Sequence, residues 1–201
     1  MVNTEVVVSC CLFTGGANVP KNSRAVFDAA WVDRLYRGVR RNYSRPFNLV
    51  CFTDQPYDFA EPVQTRDLRL PVDWNTVLLE CYAVPARRLV VMGLDTVITG
   101  SLDELFAWDG ELAAPRDPNR PTKACTGVVL ARGPVNVMGH TDMVAIDRLR
   151  PRWLDDLFPG QVVSYKKHVK IRGLGDARIV YFHGTEKPHE VDAPFIREHW
   201  R

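Results

Sequence analysis

The sequence predicts an α/β fold in which helices cover both faces of a mainly parallel sheet, and three observations predict it. Apolar runs at residues 5–13, 47–52 and 89–93 are nearly continuous rather than alternating, the mark of strands buried on both faces. Segments of helical period separate them. The third run delivers an acid, Asp95, to the end of its strand, where open α/β sheets keep their crevice.

Each element follows from its residues. Glu5 to Phe13 reads as a central first strand, and Thr14, Gly15 and Gly16 after it form a turn able to approach a ligand closely. From Ser23, an N-cap, to about Asn42, the residues Phe27, Trp31, Leu35 and Val39 recur every fourth position and form one buried stripe. Arg34, Arg37, Arg40 and Arg41 fall off that stripe or gather at the C-terminal end, where cations suit the helix dipole. Phe47 to Phe52 is a second strand, ended by Thr53 and Asp54. Residues 54–73 read as a connecting loop with one short edge strand, and residues 75–84 as a helix ended by Pro85. After Asp95, Gly100 and Ser101 punctuate the chain before a short helix near Leu102. Strands at 112–114 and 126–131 flank a loop at 115–121 near the site, and residues 137–157 read as one or two helices interrupted at Pro151. Residues 161–165 are strand-like, 166–175 form a basic loop, and 177–182 make a last buried strand leading into His183 and Gly184.

With 201 residues, the chain reads as one domain, 1–201, long enough to bury roughly 70% of its unfolded surface. Apolar residues at 46% and charged residues at 25% exclude disorder and fibrous architecture, and a net charge of +2 does not announce a nucleic-acid binder. The five cysteines lack metal-ligand spacing and read as reduced, buried thiols. The first apolar run is too short for a membrane span and has no basic flank or cleavage site, so the expected setting is cytoplasmic, with no membrane partner.

The segment Leu94 to Leu105, placed directly after a strand, resembles the Asp-x-Asp region of GT-A fold glycosyltransferases, in particular the retaining family 8 enzymes. Three further stretches resemble that family in the same order: Trp31 through Asn42 to Asp54, Pro159 to Lys166, and Phe182-His183-Gly184 with Lys187-Pro188. The resemblance implies a GT-A, Rossmann-like three-layer α/β/α sandwich with a mainly parallel mixed sheet. It implies transfer of a sugar from a nucleotide-sugar donor to a hydroxyl acceptor, metal-assisted by Mn2+ or Mg2+ and retaining. By the same resemblance Thr14, Gly15, Gly93, Asp95, Gly184 and Lys187 bind the donor, Asp95, Asp142 and Lys187 carry the chemistry, and Asp95 holds the metal. A diphosphate leaving group needs its developing charge neutralised, which is why such residues converge.

The chain departs from the family pattern at three positions. Gly93 stands where the family has its first acid, Tyr181 where it has a metal-binding His, and His189 where it has Trp. Residues 181 and 183 share a strand face, which makes His183 the substitute ligand.

Plainer readings stand beside these. Asp95 can cap the turn after its strand, Asp103 suits a helix start, Trp74 reads as packing, and Asp142 suits a solvated helix. Two other functions are weighed: a nucleotide-sugar-binding protein that has lost catalysis, on the evidence of Gly93 and Tyr181, and a DNA-modifying transferase whose basic run Lys166 to Arg172 meets an anionic acceptor.

Overall fold

A computed structural model of the chain describes residues 5–14, 27–70, 73, 76–138 and 141–201. In chain order the elements are β1 (Val6–Leu12), α1 (Ala29–Asn42), β2 (Phe47–Thr53), β3 (Val63–Asp67), a 3-10 helix (Val77–Ala83), β4 (Arg88–Met92), β5 (Thr96–Ile98) and α2 (Asp103–Ala107). There follow β6 (Leu112–Ala114), β7 (Arg116–Asp117), β8 (Arg120–Ala124), β9 (Val128–Ala131), α3 (Asp142–Arg148), β10 (Arg152–Trp153) and α4 (Leu154–Leu157). The chain closes with β11 (Val162–Ser164), a π-helical turn (Tyr165–Val169) running into α5 (Lys170–Arg172), β12 (Ile179–Tyr181), a 3-10 turn (Pro188–Glu190) and α6 (Pro194–His199).

β1 lies inside a seven-stranded sheet of order β10-β6-β9-β4-β1-β2-β3. It pairs in parallel with β2 on one side and with β4 on the other, while β9 runs antiparallel to both β4 and β6. The chain builds outward from β1 through β2 to β3, then returns to the opposite side of β1 as β4. That reversal opens a crevice at the carboxyl ends of β1 and β4. A second sheet, β11-β12-β5, carries β12 antiparallel to β5 with Tyr181 opposite Thr96. This pairing brings the segment after Tyr181 beside Asp95.

Alternate residues of β1 serve two cores. Val6, Val8, Cys10 and Leu12 pack with Trp31, Leu35 and Val39 of α1, and Val7 and Cys11 pack with Val77, Cys81 and Tyr82 on the other face. Helical layers therefore cover both sides of the sheet, as the continuous apolar runs predict. Each fully buried aliphatic side chain stabilises the fold by about 1.5–3 kcal/mol. A third cluster, including Val163, Phe182 and Phe195, fastens the small sheet to α6. All five cysteines are buried and free, and contacts with Cys51 and Cys81 together with burial push the thiols of Cys10 and Cys11 up, which leaves them inert. Among the described residues no helix is long and apolar enough to cross a membrane.

Three expectations are corrected. The helix expected at 75–84 is a 3-10 helix over Val77–Ala83, cut short by Pro85. The loop at 115–121 is a hairpin: Asp117 accepts from the N–H of Asn119 at 2.9 Å and pairs with Arg120, so Pro118 and Asn119 form a tight turn. The basic loop at 166–175 is largely helical, because the Ser164 hydroxyl caps it by accepting from the N–H of Lys167 at 3.3 Å, and Gly173 ends it at φ +81°. The reading of 137–157 as helical segments interrupted at Pro151 holds: α3 precedes that proline and α4 follows it, with the two-residue β10 between them. The N-cap assigned to Ser23 lies outside the described residues, and α1 is entered through Asp28.

Asp33 of α1 is buried and accepts from the N–H groups of Ala60 and Glu61 at 3.2 and 3.1 Å, anchoring the approach to β3. Asp33→Ala leaves those donors unpaired. The variant is expected to lose about 1–3 kcal/mol of unfolding free energy in urea with an unchanged m-value.

Candidate active site

Gly93, Leu94 and Asp95 carry the chain from β4 to β5 across the mouth of the crevice. The N–H of Gly93 donates to the carbonyl of Gly127 at 3.0 Å, and the N–H of Phe182 donates to the carbonyl of Asp95 at 3.3 Å. The acid is thus tied to β9 on one side and to the end of β12 on the other. A Cβ at position 93 would stand 2.9 Å from Oδ1 of Asp95, inside any ordinary contact distance, so a side chain there requires the carboxylate to shift, whereas glycine leaves it where it is. That direction is toward Lys187: its ammonium donates to Oδ2 of Asp95, with both side chains only 13–14% exposed.

The turn that carries Lys187 is held from several sides. Gly184 adopts φ +69° and Glu186 φ +76°, a left-handed conformation that glycine enters freely and glutamate does not. Glu186 is secured by Lys170 at 2.6 Å, and Glu190 accepts from the N–H of Lys187 at 2.6 Å. The Lys187 ammonium also lies 5.6 Å from the centre of the Phe27 ring.

Gly93, Asp95, Asp142, His183, Gly184 and Lys187 line one cleft of about 210 Å³, with Phe13 and Phe27 as apolar wall. These residues are spread from position 93 to position 187 of the sequence, and the fold brings them together. Asp142, at the start of α3, is 8% exposed and accepts from the Thr126 hydroxyl and from the N–H of Met143. It is not the solvated helix residue of the plainer reading: burial pushes its carboxyl above the usual range, against those hydrogen bonds. Burial, aided by Lys166, pulls the imidazole of His183 below its usual range, and its Nε2 lies 2.9 Å from the buried Ser164 hydroxyl.

Thr14 stands outside the cleft lining. It is exposed, its N–H donates to Asp54 at 3.0 Å, and its hydroxyl accepts from Gln55 at 3.0 Å, which fixes it to the loop after β2. Gly15 and Trp74 lie outside the described residues. Asp103 accepts from the N–H and hydroxyl of Ser44 and is structural.

The described residues do not assemble the metal site that the resemblance implies. Position 93 has no carboxylate, the carboxylate of Asp95 is paired with an ammonium, and Nε2 of His183 faces Ser164. Tyr181 is 1% exposed, packs on Gly127 and shares a hydrogen bond with the Cys125 thiol. Among the described residues no three His, Cys, Asp or Glu side chains cluster closely enough to hold a metal ion.

Sequence reasoning read Lys166 only as part of a basic run; it lies outside the cleft lining but reaches the Gly184 turn that borders the cleft. Its Nζ lies 3.9 Å from the Cβ that Gly184 lacks and donates to the carbonyl of Thr185 at 3.1 Å. The signal was present in Ser164, whose cap turns the run into a helix aimed at the Gly184 turn.

No protein-family model and no curated protein matches the sequence. Solved structures do match in fold. The glycosyltransferase GlyE of Streptococcus pneumoniae TIGR4 superimposes with a TM-score of 0.60 at 16% identity, over 95% of this chain and 57% of that one. An active-site mutant of LgtC gives 0.59 at 11% identity, over 96% and 93% of the two chains. The bifunctional glycosyltransferase WbbM gives 0.62 at 13% identity, over 98% and 49%. This chain thus has the GT-A fold, spanning a little over half the length of GlyE and nearly all of LgtC.

The raised carboxyl of Asp142 has a thermodynamic signature. A carboxyl whose folded pKa lies above its unfolded value weakens the fold as pH rises from about 4 through that raised pKa. Asp142→Asn keeps an acceptor for Met143 and removes the charge. It is expected to melt above the parent at pH 7, with the gap closing as pH falls towards 4 in a melting series.

Proposed function

We propose that this protein is a glycosyltransferase that moves a sugar from a nucleotide-sugar donor to a hydroxyl acceptor. The observation that carries the reading is the meeting of Asp95 and Lys187 in a cleft at the switch point of a GT-A sheet. Fold likeness alone does not name a reaction, but this site has the chemistry the reaction needs. Bond breaking at the anomeric carbon leaves charge on a diphosphate, and an ammonium held in a partly buried cleft stabilises that charge more strongly there than in water. Gly184 permits close approach of a phosphate to the backbone beside it. Asp142 projects a buried carboxyl into the same cleft, suited to orienting the acceptor hydroxyl or facing the anomeric carbon. Retention of configuration is the expected stereochemical outcome, on the resemblance to retaining enzymes.

Gly93 and Tyr181 favour one second reading, a protein that binds the nucleotide sugar without turning it over. A screen of nucleotide sugars for donor hydrolysis separates the two. Turnover with at least one donor is expected, and Asp95→Ala and Lys187→Ala should each lower it at least about a hundredfold, on the order of 3 kcal/mol of transition-state stabilisation. Donor binding without turnover supports the second reading, and neither binding nor turnover with any donor removes both.

A further inference from the structure

The donor site as proposed above must neutralise a diphosphate, yet its described residues do not form a cation site. A divalent ion such as Mn2+ or Mg2+ takes several oxygen ligands, and the described part of the cleft offers two carboxylates, Asp95 already paired with an ammonium and Asp142 already hydrogen-bonded by Thr126 and Met143, with no third ligand clustered beside them. Binding a cation at Asp95 would first have to displace Lys187. Adding a carboxylate at position 93 would drive a Cβ to within 2.9 Å of the existing one.

Lys187 lines the cleft, and a second ammonium, that of Lys166, stands beside the Gly184 turn at its border. Lys187 is held by Asp95 and faces the ring of Phe27, and Lys166 reaches the Gly184 turn from the helical segment after β11, anchored on the carbonyl of Thr185. Gly184 lines the cleft as Lys187 does, and its missing side chain leaves space next to Nζ of Lys166. The geometry points to a diphosphate clamp made of Lys166 and Lys187 that works without a divalent cation. In it Asp95 is a positioning residue that aims Lys187, and not a metal ligand. Gly93 accommodates this arrangement, because it leaves the Asp95 carboxylate in its present direction without a shift. The inference rests on the nucleotide-sugar reading but is separable from it.

Calorimetric titration with UDP, GDP, ADP and CDP, in EDTA and again in millimolar Mn2+, tests it on the intact chain. At least one nucleoside diphosphate is expected to bind in EDTA, with affinity within about threefold of that in Mn2+. Lys166→Gln and Lys187→Gln should each weaken binding in EDTA about tenfold or more and flatten its salt dependence, while Lys187→Arg keeps most of the affinity. Asp95→Asn leaves an oxygen for the ammonium and should bind in Mn2+ within about fivefold of the parent. Thermal melts of the variants separate lost binding from lost folding, and the parent's comparison of EDTA with Mn2+ needs no variant at all. Binding that appears only with Mn2+, or folded lysine variants that bind as the parent does, overturns the clamp and leaves the donor reading standing. Absence of binding in both conditions overturns the two together.

Discussion

The antiparallel pairing of β5 with β12 is the constraint on which the site depends. β5 is three residues long and begins directly after Asp95; β12 is equally short and ends two residues before His183. Their ladder closes a loop of more than eighty residues, and that closure carries an entropic cost which three residue pairs could not offset alone. It is met by the packing of Val97, Val163, Val180 and Phe182 against Phe195 and Ile196. The last helix therefore supports the site without lining it: it buries the apolar face that lets β12 hold the acid and the lysine in register.

Within the cleft, affinity for charge and stability pull in opposite directions. Asp95 and Lys187 neutralise each other where water is scarce, and neither can be removed without leaving its partner uncompensated. Asp142 relies instead on hydrogen bonds from Thr126 and Met143. A buried carboxyl whose ionisation is opposed by its surroundings costs stability, and such costs gather at sites that perform chemistry. Asp33, equally buried, shows the contrast: its two backbone donors bind a loop on the approach to β3, away from the cleft.

Much of the fold was legible because strands buried on both faces announce themselves. β1, β2, β4 and β9 are apolar runs, and the stripe Trp31, Leu35 and Val39 is that of α1. Elements whose cause lies in side-chain hydrogen bonds were harder to see. The β7–β8 hairpin rests on the reach of Asp117 to Asn119, and the helical turn after β11 on a serine that looks, in sequence, like the end of a strand. Of the residues singled out in the sequence, Asp95, Asp142, His183, Gly184 and Lys187 share one cleft, whereas Thr14 lies outside its lining. The wiring of the site was not legible. That Lys187 would take the carboxylate, and that His183 would turn to Ser164, depends on a meeting of distant segments that no local pattern encodes.

The margins of the large sheet have a consequence for how copies of this chain meet. One margin is β3, whose Gln64, Thr65, Arg66 and Asp67 are exposed; the other is β10, only two residues long. An incoming strand would find polar and charged side chains on the first and almost no ladder to extend on the second, so the molecule resists polymerising through its sheet even though its interior strands are rich in valine and leucine.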